Sequence, residues 1–170
     1  MPTVRLSFSP AAAHVRTARL VGVAVARRAG VAAELFDEIR LAIGEACSRA
    51  VTLHRAHDIS DLVEVALVDG DRFTVRVTDR APIDAALGPA LSDPPDPVAL
   101  LYEPTVPAGV GDPATEEAVA VGMRLALLIG MVDDLSVRPV EEGPGTEVLM
   151  SWPTQPGRNG GGGMRLTRHP

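Results

Sequence analysis

The stretch Phe36–His54, FDEIRLAIGEACSRAVTLH, is the one around which the rest of the chain is organised. Ile39, Ile43, Ala46, Ala50 and Leu53 recur at spacings of three and four, which predicts an amphipathic helix with one continuous apolar stripe. Glu45 and Arg49 lie off that stripe and one turn apart, so they are neighbours on the helix surface. On helix grounds alone they form a solvent-facing pair worth about 0.2–0.5 kcal/mol.

With 170 residues the chain is long enough for one domain with a real core, and its apolar fraction of 46% is ordinary for a globular protein. The net charge of −6 argues against direct nucleic-acid binding, which calls for a basic surface. No apolar run is long enough to cross a bilayer, and MPTVRLSFSP alternates like a strand instead of resembling a secretory signal. A cytoplasmic protein is expected. Cys47 is the single cysteine, which excludes an intrachain disulfide and a cysteine-based zinc site; inside the central helix it reads as a buried, inert thiol. The histidines (His14, His54, His57 and His169) show no HExxH pattern, and no metal site is expected. All 16 basic residues are arginine, so Schiff-base chemistry, a lysine base and a P-loop are excluded.

Val4, Leu6 and Phe8 alternate with polar residues in a short strand ended by Pro10. A helix over Ala11–Ala29 follows, with Val15, Ala18, Leu20, Val21, Val23 and Val25 apolar, Arg16, Arg19, Arg27 and Arg28 on a basic side, and Gly30 as its stop. After the central helix, Leu62–Val68 and Arg72–Asp79 read as a hairpin through Asp69-Gly70-Asp71, and its second strand ends on Asp79. Residues 80–113 are proline-rich and irregular, the pattern of a lid-like or binding loop. Thr115–Gly130 is a third helix with Val121, Leu125, Leu128 and Ile129 expected on its buried face. Leu135–Val140 and Glu147–Trp152 form a closing hairpin, and a disordered tail is expected over residues 153–170. The order strand, helix, helix, strand, strand, helix, strand, strand predicts an α+β fold. It is a two-layer α/β sandwich with helices on one face of a mixed, mostly antiparallel sheet, spanning residues 1–152.

Several short segments fall in an order that resembles the GHKL (Bergerat-fold) ATP-binding superfamily, and within it the bacterial anti-sigma factors that are also serine-protein kinases. They are Phe8-Ser9, Ala18-Arg19, Glu45-Ala46, Val77-Thr78-Asp79, Gly122-Met123, Met131-Val132-Asp133-Asp134 and Gly145-Thr146. The resemblance implies that Glu45 is the base position of phosphoryl transfer. Asp79 would accept the adenine amino group with support from Thr146, and the segment 80–113 would act as the ATP lid. It places Arg49, Ala81, Gly122, Arg124 and Gly145 around the nucleotide, and Arg16 and Arg19 on a partner-binding helix. ATP or ADP with Mg²⁺ would be the cofactors. A sigma factor and an anti-anti-sigma (STAS-domain) protein would be the partners, and a homodimer through the sheet side the assembly.

The departures from that pattern bear on chemistry. The family's magnesium-ligating asparagine, four residues after the glutamate, is Arg49 here. The adenine box reads Asp79-Arg80-Ala81-Pro82-Ile83 in place of Asp-x-Gly-x-Gly, and the second glycine of the lid's Gly-x-Gly is Arg124. A guanidinium is not a metal ligand, so the expectation is a degenerate site with nucleotide binding and kinase activity weakened or lost. Arg49 would then either pair with Glu45 or, with Arg124, contact phosphates directly. The leading reading is an anti-sigma regulator working by partner switching. The alternative is an active Mg-ATP-dependent serine-protein kinase that phosphorylates its antagonist, and a third class is a small-molecule sensor using the altered pocket.

Overall fold

The computed structural model describes residues 1–82 and 113–155, and for residues 113–120 the backbone alone. In chain order the elements are β1 (Thr3–Phe8), α1 (Ala12–Arg28), a single 3₁₀ turn (Ala33–Leu35), α2 (Phe36–Ala56), β2 (Val63–Asp69), β3 (Arg72–Thr78), α3 (Pro113–Met131), β4 (Leu135–Pro139) and β5 (Thr146–Pro153). The expected α+β sandwich is present, with its sheet antiparallel throughout and ordered β1-β2-β3-β5-β4.

Local chemistry accounts for where the helices stop. α2 carries Asp37 and Glu38 in its first turn and His54 and Arg55 in its last, which suits the helix dipole at both ends. α1 and α2 both end in the left-handed turn of a Schellman motif. Val31 N–H bonds Ala26 C=O at 3.1 Å past Gly30 (φ 82), and Ile59 N–H bonds His54 C=O at 2.8 Å past Asp58 (φ 52). Glycine takes that conformation without steric cost, whereas Asp58 takes it under strain.

Period-two alternation builds the core. Val65 pairs with Val77 and Val77 with Val148; Leu67 pairs with Val75 and Val75 with Met150; Phe73 pairs with Trp152. All of these are buried on the helix-facing side, against Ile39, Ala42, Ile43, Ala46 and Ala50 of α2, which is the central helix with α1 and α3 on its flanks. Gly22 lets α1 approach closely: a Cβ there would stand inside Ile43, with only a side-chain tip as the obstacle. The opposite sheet face carries charge, including Arg76 and Arg138 on Glu147 (3.7 and 3.0 Å).

Some boundaries and faces differ from expectation. β5 runs through Pro153, Thr154 bridges Val31 and Gln155 N–H bonds Gly30 C=O, so the first residues of the expected tail close the sheet against the end of α1. Residues 156–170, the greater part of the expected lid (83–112) and the side chain expected to cap α3, Thr115, lie outside the described residues. Val121, Leu125 and Leu128 are buried as expected, but Ile129 is half exposed and Leu20 more so. Each stands one residue beyond the stripe that its helix turns toward a neighbour.

Candidate functional site

The sheet register decides where Asp79 points. Thr78 pairs with Glu147 as the last ladder position between β3 and β5. One residue further on, alternation returns Asp79 to the face of Val77 and Thr146 to the face of Val148, toward the helices. Both are buried, and the backbones stay joined by Asp79 N–H to Thr146 C=O at 3.0 Å. A carboxylate delivered to a core face needs donors.

It has four. Asp79 Oδ1 accepts the N–H of Ala81 at 3.0 Å and that of Thr146 at 3.3 Å. Oδ2 accepts the Thr146 hydroxyl at 2.5 Å and Arg49 Nη1 at 3.0 Å. Thr146 Oγ1 in turn accepts both Arg49 Nη1 and Nη2 at 3.3 Å. A carboxylate offers about four lone-pair positions and a hydroxyl one donor and two acceptors, so Asp79 and the Thr146 hydroxyl are saturated by the protein itself.

Arg49 was expected on the solvent side, beside Glu45; it is instead 0% exposed. Successive i+4 residues differ by about 40° around a helix, and that offset separates the two. Arg49 continues the inward stripe Ala42, Ala46, Leu53, whose small residues leave room for a long side chain to reach the sheet. Burial pushes the Arg49 guanidinium pKa down, and the Asp79 carboxylate with its hydrogen bond pushes it back up; arginine stays charged throughout. Removing one partner of such a buried pair costs about 3–5 kcal/mol.

Glu45 takes a different cation. Arg124 of α3 donates Nη1 to Glu45 Oε2 at 2.7 Å, in a pair about a third to a fifth exposed. The expected pairing of Arg49 with Glu45 is therefore replaced by a crossed arrangement: Arg49 on Asp79, Arg124 on Glu45.

The remaining expected site residues divide. Ala81 is fully buried and packs with Leu53 and Val121. Gly145 (φ 132) is where β5 passes tightly under the end of β3: a Cβ there would stand inside the Asp79 carbonyl oxygen. Gly122 has nothing within 4 Å of a Cβ, so its position in α3 makes no close approach among the described residues. Sequence reasoning passed over His54. It is fully buried, accepts Arg80 N–H on Nε2 at 2.8 Å, and so donates from Nδ1 to Asp61 C=O at 3.0 Å. His54 stands five residues beyond Arg49, about 140° further round the helix, so the stripe that carries Arg49 did not point to it.

A cavity of about 790 Å³ opens nearby, lined among the described residues by His57, Ile59, Asp61, Leu62, Glu64, Arg80, Pro82 and Pro144. None of Glu45, Arg49, Asp79 or Thr146 borders it. Among the described residues no group of three or more His, Cys, Asp and Glu side chains stands together as metal ligands. The described residues do not fit Mg-ATP: Asp79 already accepts four donors from the protein, and the position of the metal ligand holds a buried cation. No catalytic step follows from this arrangement.

Residues 8–152 match the family model of the histidine kinase-like ATPase domain. No curated protein matches the chain.

Proposed function

The chain belongs to the histidine kinase-like ATPase domain family, and from that premise we propose that it acts by binding proteins and not by phosphoryl transfer. In this reading it is an anti-sigma factor, which holds a sigma factor and releases it to an anti-anti-sigma (STAS-domain) antagonist in the cytoplasm. The observation that carries the reading is the saturation of Asp79 by Arg49, Thr146 and Ala81. It leaves the domain with its fold but without the acceptor that a base would use. The surface of α1 supports the binding role. Arg16 is exposed, Arg19 lays its stem across Gly44 of α2, and neither is in an ion pair among the described residues. No described helix is long and apolar enough to cross a membrane.

The test is co-purification from the native cell with wild type and Arg19→Ala, followed by incubation of the captured complex with Mg-ATP and intact-mass measurement. The expected result is a sigma factor or a STAS-domain protein captured by wild type, bound at least about fivefold more weakly by Arg19→Ala, with no added phosphate. A phosphorylated antagonist would establish the serine-kinase reading instead.

A further inference from the structure

Two side chains of α2 grip consecutive residues at the exit of β3. Arg49 holds the Asp79 carboxylate, and His54 accepts the next backbone N–H, that of Arg80. From the other side Thr146, at the start of β5, bonds the same carboxylate through both its N–H and its hydroxyl. Elements separated by 30 and 97 positions in the chain thus meet on one planar cation that is wholly enclosed. A bound small molecule stabilises a native state in the same way, by satisfying polar groups that only the folded chain brings together.

We infer that Arg49 is a built-in ligand. Its guanidinium occupies a polar site shaped for a planar, amidine-bearing group, and it holds the end of β3 against β5 with no nucleotide. This role for Arg49 rests on the reading that the same site carries no nucleotide in the working protein. Because the guanidinium is tethered, its effective concentration at Asp79 is far above that of a dissolved competitor, and free amidines add nothing to the wild type. Cutting the side chain back to alanine leaves Asp79 and Thr146 in place around an empty space. A guanidinium or acetamidinium ion from solution then has a site to enter.

The experiment is thermal unfolding of the full chain as wild type, Arg49→Ala, and Arg49→Ala with Asp79→Asn. Each is titrated with guanidinium or acetamidinium at low concentration against sodium chloride of equal ionic strength. Arg49→Ala is expected to lower Tm by roughly 6–20 °C. The added cation should recover part of that loss saturably, while wild type and the double variant do not respond. A folded Arg49→Ala that melts with the wild type, or that shows no recovery, overturns the inference, as does equal recovery in the double variant. Should Arg49→Ala fail to fold, Arg49→Lys keeps the charge but loses the planar fork. It must melt below wild type, and Asp79→Asn must cost less in the lysine background than in the wild type; equal costs overturn the inference. Saturable Mg-ATP binding by the wild type defeats the nucleotide-free reading on its own, whatever the rescue shows.

Discussion

Alanine at three glycines probes how tightly β5 is held under β3. At Gly145 the backbone sits at φ 132, and a Cβ would stand inside the Asp79 carbonyl oxygen and 3.1 Å from Arg80 Cα. Both obstacles are backbone, so no rotamer change relieves them; β5 must back away. That gives up Asp79 N–H to Thr146 C=O and Thr146 N–H to Asp79 Oδ1. The strained φ contributes about 1–3 kcal/mol and each lost hydrogen bond about 0.5–1.5 kcal/mol. Gly145→Ala should therefore destabilise by about 2–6 kcal/mol, with Tm falling on the order of 10 °C. Gly143 (φ 81) has nothing within 4 Å of a Cβ among the described residues, so Gly143→Ala meets the conformational term alone, about 1–2 kcal/mol. Gly122, helical and open among the described residues, should gain about 0.5–1 kcal/mol as alanine. Urea denaturation followed by far-UV circular dichroism and by Trp152 fluorescence gives all three. Trp152 pairs with Phe73 at the far end of β3 from Asp79, which makes it a reporter of global unfolding. A Gly145→Ala within about 1 kcal/mol of wild type would refute the close passage of β5 beneath Asp79.

Two further predictions concern α2. Burial pushes the Cys47 thiol up to about 12 from 9.0, with Arg19 pulling weakly the other way. The raised value stabilises the fold below pH 9 and is lost between pH 9 and 12, where the unfolded chain sheds a proton that the folded one keeps; the slope there approaches about 1.4 kcal/mol per pH unit. Cys47→Ala should flatten that part of the stability profile, and in the wild type a disulfide reagent should react only as fast as the protein unfolds; a fast reaction at pH 8 without denaturant would contradict the burial. At the end of α2, Asp58→Gly should raise stability by about 0.5–1 kcal/mol by relieving the left-handed residue of the Schellman motif, and a lower Tm would show that its side chain contributes more than the strain costs.

Periodicity made most of the scaffold legible. The apolar stripe of α2, the alternation of β2 and β3 and the inner face of α3 each repeat a pattern with a single structural meaning. What escaped was polar. An arginine among alanines reads as a surface residue, because helix position alone does not say that a buried carboxylate waits within reach. The clue lay in combining two periods: Asp79 shares the face of Val77, Thr146 shares that of Val148, and a carboxylate on a core face calls for a cation from the helix above it. His54 escaped for the same reason, since its partners are backbone groups of Arg80 and Asp61, to which composition is blind. Ile129 and Leu20 show the converse, apolar residues left exposed one position beyond the buried stripe of their helices.

The strand order also dictates how the chain must come together. β5, the last of the described strands in chain order, lies inside the sheet between β3 and β4. Until it arrives β4 has no neighbour to pair with, β3 presents an open edge, and the carboxylate of Asp79 lacks the Thr146 donors. Contacts that close so large a stretch of chain form late and reward the chain only when complete. Placement of the β4–β5 hairpin therefore completes the described sheet, and a nascent chain that stops before Thr146 carries α1, α2 and α3 over a sheet whose Asp79 carboxylate keeps Arg49 and Ala81 but lacks its other two donors.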